Sequence, residues 1–272
     1  MTKPFLKWAG GKTHLLEQIF ARCPTTTSRY VEPMVGAGAV LFSLAERRPH
    51  YQMLIGDLNE ELINVYSQIK AAPEAIHAHL LEFAQGSEAF YQIRAAERSA
   101  DFASWTAAQK AARTIYLNKL GFNGLYRVNA SGHFNVPFGK RTGVRFELKD
   151  LTDASAALGR CEIRNCHYKD LCGDITENDW VYFDPPYLPI NESSKFTEYN
   201  SGGFTLQDHM VLKEECDRLN SLGAKVLVSN SHSNKILELY RGYNISVVFA
   251  KRSINSNGSK RGPIPELLIS NY

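Results

Sequence analysis

Apolar positions recur at helical spacing in Leu15, Leu16, Ile19 and Phe20 and predict a short helix over residues 13–22. Arg29-Tyr30-Val31-Glu32-Pro33 reads as a strand entering a glycine turn, Gly36-Ala37-Gly38, with an apolar helix from Ala39 to Glu46 behind it. A second strand, Tyr51 to Ile55, ends at Asp57. Strand, turn, helix and strand in succession form a βαβ unit, which implies a parallel sheet.

The pattern changes after Asp57. Residues 59–119 read mostly as helix, over 60–71, 73–84, 88–98 and 106–119, with Pro73 fitting the first turn of its helix. From Gly121 to Gly143 the chain is rich in Gly, Asn, Phe, Arg and Pro, the composition of a loop or hairpin. The α/β alternation then resumes: helix 148–158, strand 161–166, the short apolar strand 180–183, helix 206–222, the buried strand 225–229 and helix 235–240. Two last strands, 243–250 and 266–270, are joined by Asn257-Gly258 and a basic loop. The expected architecture is an α/β, mostly parallel sheet over residues 1–58 and 148–272, split by a mainly helical insertion, 59–147.

With 272 residues and 44% hydrophobic content the chain can bury a large core, and 22% charged residues exclude wholesale disorder. No apolar run is long enough to span a bilayer, and the N-terminus lacks the apolar stretch of a secretory signal, so a cytoplasmic protein is expected. An odd cysteine count without a signal argues against a disulfide framework. Cys161, Cys166, His167 and Cys172 lie close in sequence but lack the C-x-x-C spacing of zinc sites, so no metal is expected. Net charge is only +3, yet no acidic residue falls between Asp101 and Glu147, a stretch holding Lys110, Arg113, Lys119, Arg127, Lys140, Arg141 and Arg145. A second acid-free stretch, 251–265, holds Lys251, Arg252, Lys260 and Arg261. Basic locally and balanced globally suggests a polyanion-binding face, with an ordinary solvated surface as the alternative that charge alone leaves open.

Three motifs carry chemistry. Gly36-Ala37-Gly38 lets backbone approach a ligand at a helix start, although Leu41 stands where the dinucleotide fingerprint needs its third glycine. Asp57 closes the next strand, where an acidic side chain reaches ribose hydroxyls in nucleoside-binding α/β folds. Gly10-Gly11-Lys12-Thr13 imitates the tail of a phosphate-binding loop, but Leu6 replaces the leading glycine and no strand can precede it, which argues against an NTPase. Asp184-Pro185-Pro186-Tyr187 stands at a strand's carboxyl end, where open α/β sheets bind ligands. The prolines fix a backbone carbonyl beside the Asp184 carboxylate, two acceptors that suit an exocyclic amine, and Tyr187 offers a flat face to a base.

These motifs together resemble the DNA adenine-N6 methyltransferases of the Dam type. The likeness is carried by Phe5–Lys12 (FLKWAGGK), Glu32–Gly38, Leu117–Arg127 (LNKLGFNGLYR), Phe134–Gly139 and Asp184–Tyr187. It continues in Phe196–Tyr199, Ser229-Asn230, Arg252–Ile254 and Ser256–Gly258. The resemblance implies a methyltransferase-type Rossmann-like sheet with a C-terminal antiparallel hairpin, S-adenosylmethionine as cofactor and double-stranded DNA as substrate. No membrane and no obligatory protein partner enter. Trp8, Lys12, Gly36, Gly38, Asp57 and Asp184 would face the cofactor. Asp184, Pro185, Pro186 and Tyr187 would form the catalytic set.

By the same resemblance Lys7, Phe122, Asn123, Leu125, Arg127, Pro137, Arg141 and Arg252 would contact DNA, with Phe122 and Asn123 at the flipping site. The insertion would be the target-recognition domain. Arg141 stands where relatives often carry an aromatic residue, so contact with the outer base pair is expected to differ, while Leu125 and Arg127 favour GATC. Two rival readings are an amine methyltransferase acting on RNA or protein, and a DNA-binding protein without activity. The recognition-like segment 121–127 argues against the first; intact Lys12, Asp57, Asp184 and Tyr187 argue against the second.

Overall fold

The computed structural model describes residues 4–141, 143–188, 204–250 and 264–272. Its strands are β1 (Arg29–Glu32), β2 (Gln52–Asp57), β3 (Cys161–Asn165), β4 (Asp179–Phe183), β5 (Lys225–Ser231), β6 (Asn244–Ala250) and β7 (Ile264–Ser270). They form one sheet ordered β3-β2-β1-β4-β5-β7-β6. β1 pairs in parallel with β2 and β4, and β4 with β5, while β7 runs antiparallel between β5 and β6. The mostly parallel sheet and its antiparallel C-terminal pair agree with the α/β class expected from the sequence.

The helices are α1 (Leu16–Phe20), α2 (Ala39–Arg47), α3 (Glu60–Ala71), α4 (Pro73–Glu82), α5 (Ser87–Ala95), α6 (Ala107–Leu120), α7 (Leu148–Leu158), α8 (Tyr168–Leu171), α9 (Leu206–Ser221) and α10 (Asn234–Leu239). Two expectations need correction. The helix predicted over 13–22 is a 3-10 turn, Thr13–Leu15, followed by the five-residue α1, because the chain after Phe20 folds back in a turn. The helix predicted over 88–98 tightens into a 3-10 turn at Ala96–Arg98. The link between β6 and β7, including Asn257-Gly258, lies outside the described residues.

The chain divides into two compact units. The first comprises residues up to Gly11, Val35–His50 and Gly56–Cys166. Its central element is α6, started by a reciprocal cap between Thr106 and Gln109 and buried along most of its length. Arg113 lies buried on this helix, against Glu97 at 3.0 Å and the carbonyls of Ile93 and Arg94. Beyond α6 the chain forms a hairpin-like loop held by the bridges Gly121–Phe138 and Val128–Phe134.

The second unit comprises Lys12–Met34, Tyr51–Ile55 and His167 onward. Here β4 is buried at every position and β5 from Val226 to Ser231, as parallel strands covered on both faces must be. Val181 pairs with Val31 on one side and Val226 on the other, so the carboxyl ends of β1, β4 and β5 share one edge. At the opposite edge Arg29 binds the buried Asp179 carboxylate through Nε at 2.6 Å and Nη2 at 2.9 Å.

Candidate active site

In the first unit, the chain entering α2 turns through Gly36 (φ +48°) and Gly38 (φ +69°), a left-handed backbone that glycine adopts without strain. The turn is closed by Val35 N–H donating to the Gly56 carbonyl at 3.0 Å and by the Tyr66 hydroxyl donating to the Gly36 carbonyl at 2.9 Å. Side chains are crowded here as well: a Cβ on Gly38 would meet the Tyr66 hydroxyl at 2.5 Å, and one on Gly36 would press on the Trp8 indole at 3.1 Å.

Asp57 lies beside this turn. Its Oδ2 accepts from Gly36 N at 3.2 Å and its Oδ1 from Asn59 N at 3.0 Å. Burial pushes the carboxyl upward, and these backbone donors hold it back. Trp8 stacks on Tyr126, with centroids 4.9 Å apart and planes 23° from parallel. The first unit thus gathers Trp8, Gly36, Gly38 and Asp57, four of the residues singled out for the cofactor. A close-approach turn, a half-buried carboxylate and an indole fit a nucleoside with its ribose diol.

The second unit gathers Lys12, Asp184, Pro185, Pro186 and Tyr187. Asp184 follows β4, and its Oδ1 accepts from Ser229 Oγ at 2.6 Å and from Lys12 Nζ at 2.8 Å. Burial pushes the Asp184 carboxyl up; the Lys12 ammonium and the Ser229 hydroxyl oppose that shift. Lys12 is itself buried, and its Nζ sits 4.5 Å from the centre of the Tyr187 ring. One face of that ring is therefore covered by the lysine, so the flat surface expected of Tyr187 is limited to its other face. The Tyr187 hydroxyl donates to Glu266 Oε2 at 2.7 Å, while Glu266 Oε1 lies 3.3 Å from His14 Nε2. Burial acts to raise the Glu266 carboxyl, but His14, Tyr187 and Lys12 bring it below its ordinary value.

Three consecutive buried residues of β5 hold the segment after β4. Ser229 bonds Asp184; Asn230 Oδ1 accepts from Leu188 N at 3.5 Å; Ser231 Oγ donates to the Leu188 carbonyl at 2.7 Å. Asn230 Oδ1 also accepts from Ser231 N, so its amide nitrogen is the group facing His209 Nδ1 at 3.3 Å. Nδ1 must then accept, which places the His209 proton on Nε2. Burial lowers the His209 pKa to about 4, so the ring is neutral. Sequence reasoning assigned no role to Ser231, Tyr182, Glu266 or His209. Ser229-Asn230 entered only as part of a resemblance.

The residues singled out for DNA cluster around the loop after α6 in the first unit. Phe122 and Leu125 are exposed apolar side chains, 51% and 39% accessible, and Asn123 takes φ +55°. Asn118 ties the loop to the N-terminal segment: its Oδ1 accepts from Lys7 N, and its Nδ2 donates to the carbonyls of Lys7 and Gly124. Lys7 packs against Gly124, where a Cβ would lie 2.6 Å from Lys7 Cδ. Arg127 donates through Nε to Asn135 Oδ1 at 2.6 Å, and the Pro137 carbonyl accepts from Phe122 N at 2.9 Å.

Lys140 and Arg141 are exposed. The Lys119 ammonium is pushed down by burial and by the charges of Lys7 and Arg141, while Asp150 opposes this. Crowded cations of this kind suit a phosphate. Arg113, counted in the basic stretch, is a correction: it is buried and paired, and does not belong to a DNA-facing surface. Arg252 lies outside the described residues.

Residues 8–254 match the family model described as D12 class N6 adenine-specific DNA methyltransferase. The chain is 37% identical to the type II methyltransferase M.MjaIII of Methanocaldococcus jannaschii, over 99% of each protein. It is 35% identical to the type II methyltransferase M1.LlaDCHI of Lactococcus lactis subsp. cremoris, over 99% of this chain and 95% of that protein. It is 34% identical to the DNA adenine methylase of Escherichia coli K12, over 98% of this chain and 94% of that protein. The chain belongs to the D12 class of N6 adenine-specific DNA methyltransferases, enzymes that methylate adenine in DNA. Among the described residues no helix is long and apolar enough to cross a membrane.

Proposed function

We propose that this enzyme transfers a methyl group from S-adenosylmethionine to N6 of the adenine in GATC, after that base has swung out of the duplex. The observation that carries the reading is Asp184, a carboxylate at the end of β4 that is bound by the buried ammonium of Lys12. An aniline-like amine such as adenine N6 has its lone pair spread into the ring. Asp184 accepting one N6 hydrogen localises that pair, and the rigid Pro185-Pro186 backbone sets where the acceptor stands.

Gly36, Gly38, Asp57 and Trp8 fit the nucleoside part of S-adenosylmethionine, with Asp57 on the ribose hydroxyls. Bound there, it would supply an electrophilic methyl group on sulfur. This chain's residues then position and desolvate the amine, and no covalent enzyme intermediate is needed. The target atom is stacked inside B-form DNA, so flipping costs a few kcal/mol. Phe122, exposed on its loop, fills the gap left behind, and Tyr187 supports the flipped base with the ring face that Lys12 leaves uncovered.

Residues 59–147 form the target-recognition part in this reading. Arg127 reads a guanine in the major groove, Leu125 contacts its neighbour, and Lys7, Asn123, Pro137, Arg141 and Arg252 complete the DNA contacts. The test is Asp184→Ala. The variant binds S-adenosylmethionine by calorimetry but transfers no label to a GATC duplex; turnover retained by the variant contradicts the acceptor role.

A further inference from the structure

Asp184 has two carboxylate oxygens, and the structure treats them unequally. Among the described residues, the side-chain donors it receives, Ser229 Oγ at 2.6 Å and Lys12 Nζ at 2.8 Å, both fall on Oδ1. Behind Ser229 stands Tyr182, whose hydroxyl donates to Ser229 Oγ at 3.0 Å. Tyr182 and Ser229 are fully buried on the adjacent strands β4 and β5.

The direction of this chain is set by valence. The Ser229 hydroxyl has two pure acceptors in reach, Asp184 Oδ1 at 2.6 Å and the Phe183 carbonyl at 3.4 Å, and its single hydrogen goes to the nearer, charged one. The serine oxygen must then receive, and Tyr182 supplies its hydrogen. A hydroxyl that accepts one bond donates the next more strongly, and 2.6 Å lies in the range of charge-assisted O–H···O⁻ bonds.

We propose that Ser229, backed by Tyr182, is the positioning residue that divides the work of Asp184, committing Oδ1 to the protein and presenting Oδ2 to the substrate amine. The inference rests on the reading of Asp184 as the N6 acceptor. With Oδ1 held from two sides the carboxylate cannot rotate about χ2, so Oδ2 meets the amine in one orientation. The same bond helps keep Asp184 ionised against burial. The charged and titratable groups facing it are Lys12 ahead of α1, Tyr30 on β1, Tyr182 on β4, Tyr187 just after β4 and Glu266 on β7; Glu32 on β1 acts on Tyr30 and Tyr182 behind them.

The experiment compares Ser229→Ala, Ser229→Thr and Tyr182→Phe with the parent enzyme in steady-state methylation of a GATC duplex across pH. Ser229→Ala is expected to lower kcat on the order of 10- to 100-fold, with KM for DNA and the S-adenosylmethionine Kd held within about twofold. Losing a hydrogen bond to the charged form raises the Asp184 pKa, so the acidic limb of the kcat profile moves to higher pH. Thr, which keeps the hydroxyl, restores both. Tyr182→Phe, which leaves Ser229 in place, moves the limb the same way by less.

If Ser229→Ala keeps kcat, or loses it with the acidic limb unmoved and no rescue by Thr, the positioning role is overturned. Asp184→Ala run alongside separates the two failures. Turnover without Asp184 overturns the acceptor reading itself; turnover lost in Asp184→Ala but kept in Ser229→Ala overturns only this inference.

Discussion

Asn135 Oδ1 accepts the Nε hydrogen of Arg127 at 2.6 Å, and the Asn135 carbonyl accepts from Arg127 Nη2 at 3.3 Å. The two bonds fix the plane of the guanidinium, and a fixed fork loses less freedom when it pairs with a guanine edge. Arg127→Ala is expected to relax discrimination at one base pair by about 1–3 kcal/mol. Asn135→Ala relaxes it in the same direction by less. Competition between cognate and singly altered duplexes measures both. Even weakening on every sequence makes Arg127 a phosphate contact instead.

Lys12 and Asp184 make the second prediction, a pH dependence. Burial raises the Asp184 pKa and Lys12 opposes it. With the carboxylate as the N6 acceptor proposed above, turnover is expected to fall as pH drops through that raised pKa. Lys12→Ala removes the counter-charge, raises the pKa further and moves the acidic limb of kcat to higher pH. A limb that stays in place separates Lys12 from the ionisation of Asp184.

The glycine turn yields a steric prediction. At φ +69° Gly38→Ala strains the backbone and also presses Cβ onto the Tyr66 hydroxyl, 2.5 Å away. The cost is expected at about 1–3 kcal/mol of stability, with weaker S-adenosylmethionine binding. Tyr66→Phe in the same chain removes the clash but not the strain, so the double variant recovers part of the melting temperature. Full additivity of the two single changes would show that the hydroxyl yields without cost.

Arg113 and Lys140 are both basic residues of one acid-free stretch, and the structure predicts opposite phenotypes. Arg113→Ala strands the buried Glu97 and two carbonyls, and is expected to cost about 3–5 kcal/mol in denaturant unfolding. Lys140→Ala leaves stability unchanged and lowers the slope of log binding constant against log salt by about one. A stable Arg113→Ala protein with a reduced salt slope would reverse this assignment.

Much of this was legible because it is local in sequence. The turn Gly36–Gly38, the strand ending at Asp57 and the Asp184–Tyr187 motif each lie within a few residues, and strands β4 and β5 announced themselves as short apolar runs. What stayed hidden comes from pairing between distant segments. Ser229 reaches Asp184 because β5 lies beside β4, and Glu266 reaches Tyr187 through β7, neighbours that periodicity does not name. Arg113 misled for the same reason. Its partners Glu61 and Glu97 precede the acid-free stretch, so counting charges along the chain counted a buried ion pair as surface.

Adenine-N6 methylation of GATC through Asp184 is the proposed activity. Its most direct test is to express the chain, and separately its Asp184→Ala variant, in a host lacking adenine methylation, and to sequence the genomic DNA for N6-methyladenine. N6-methyladenine is expected at GATC with the parent chain and none with the variant. A genome left unmethylated by well-expressed, S-adenosylmethionine-binding parent protein, or methylated equally by the variant, would contradict it.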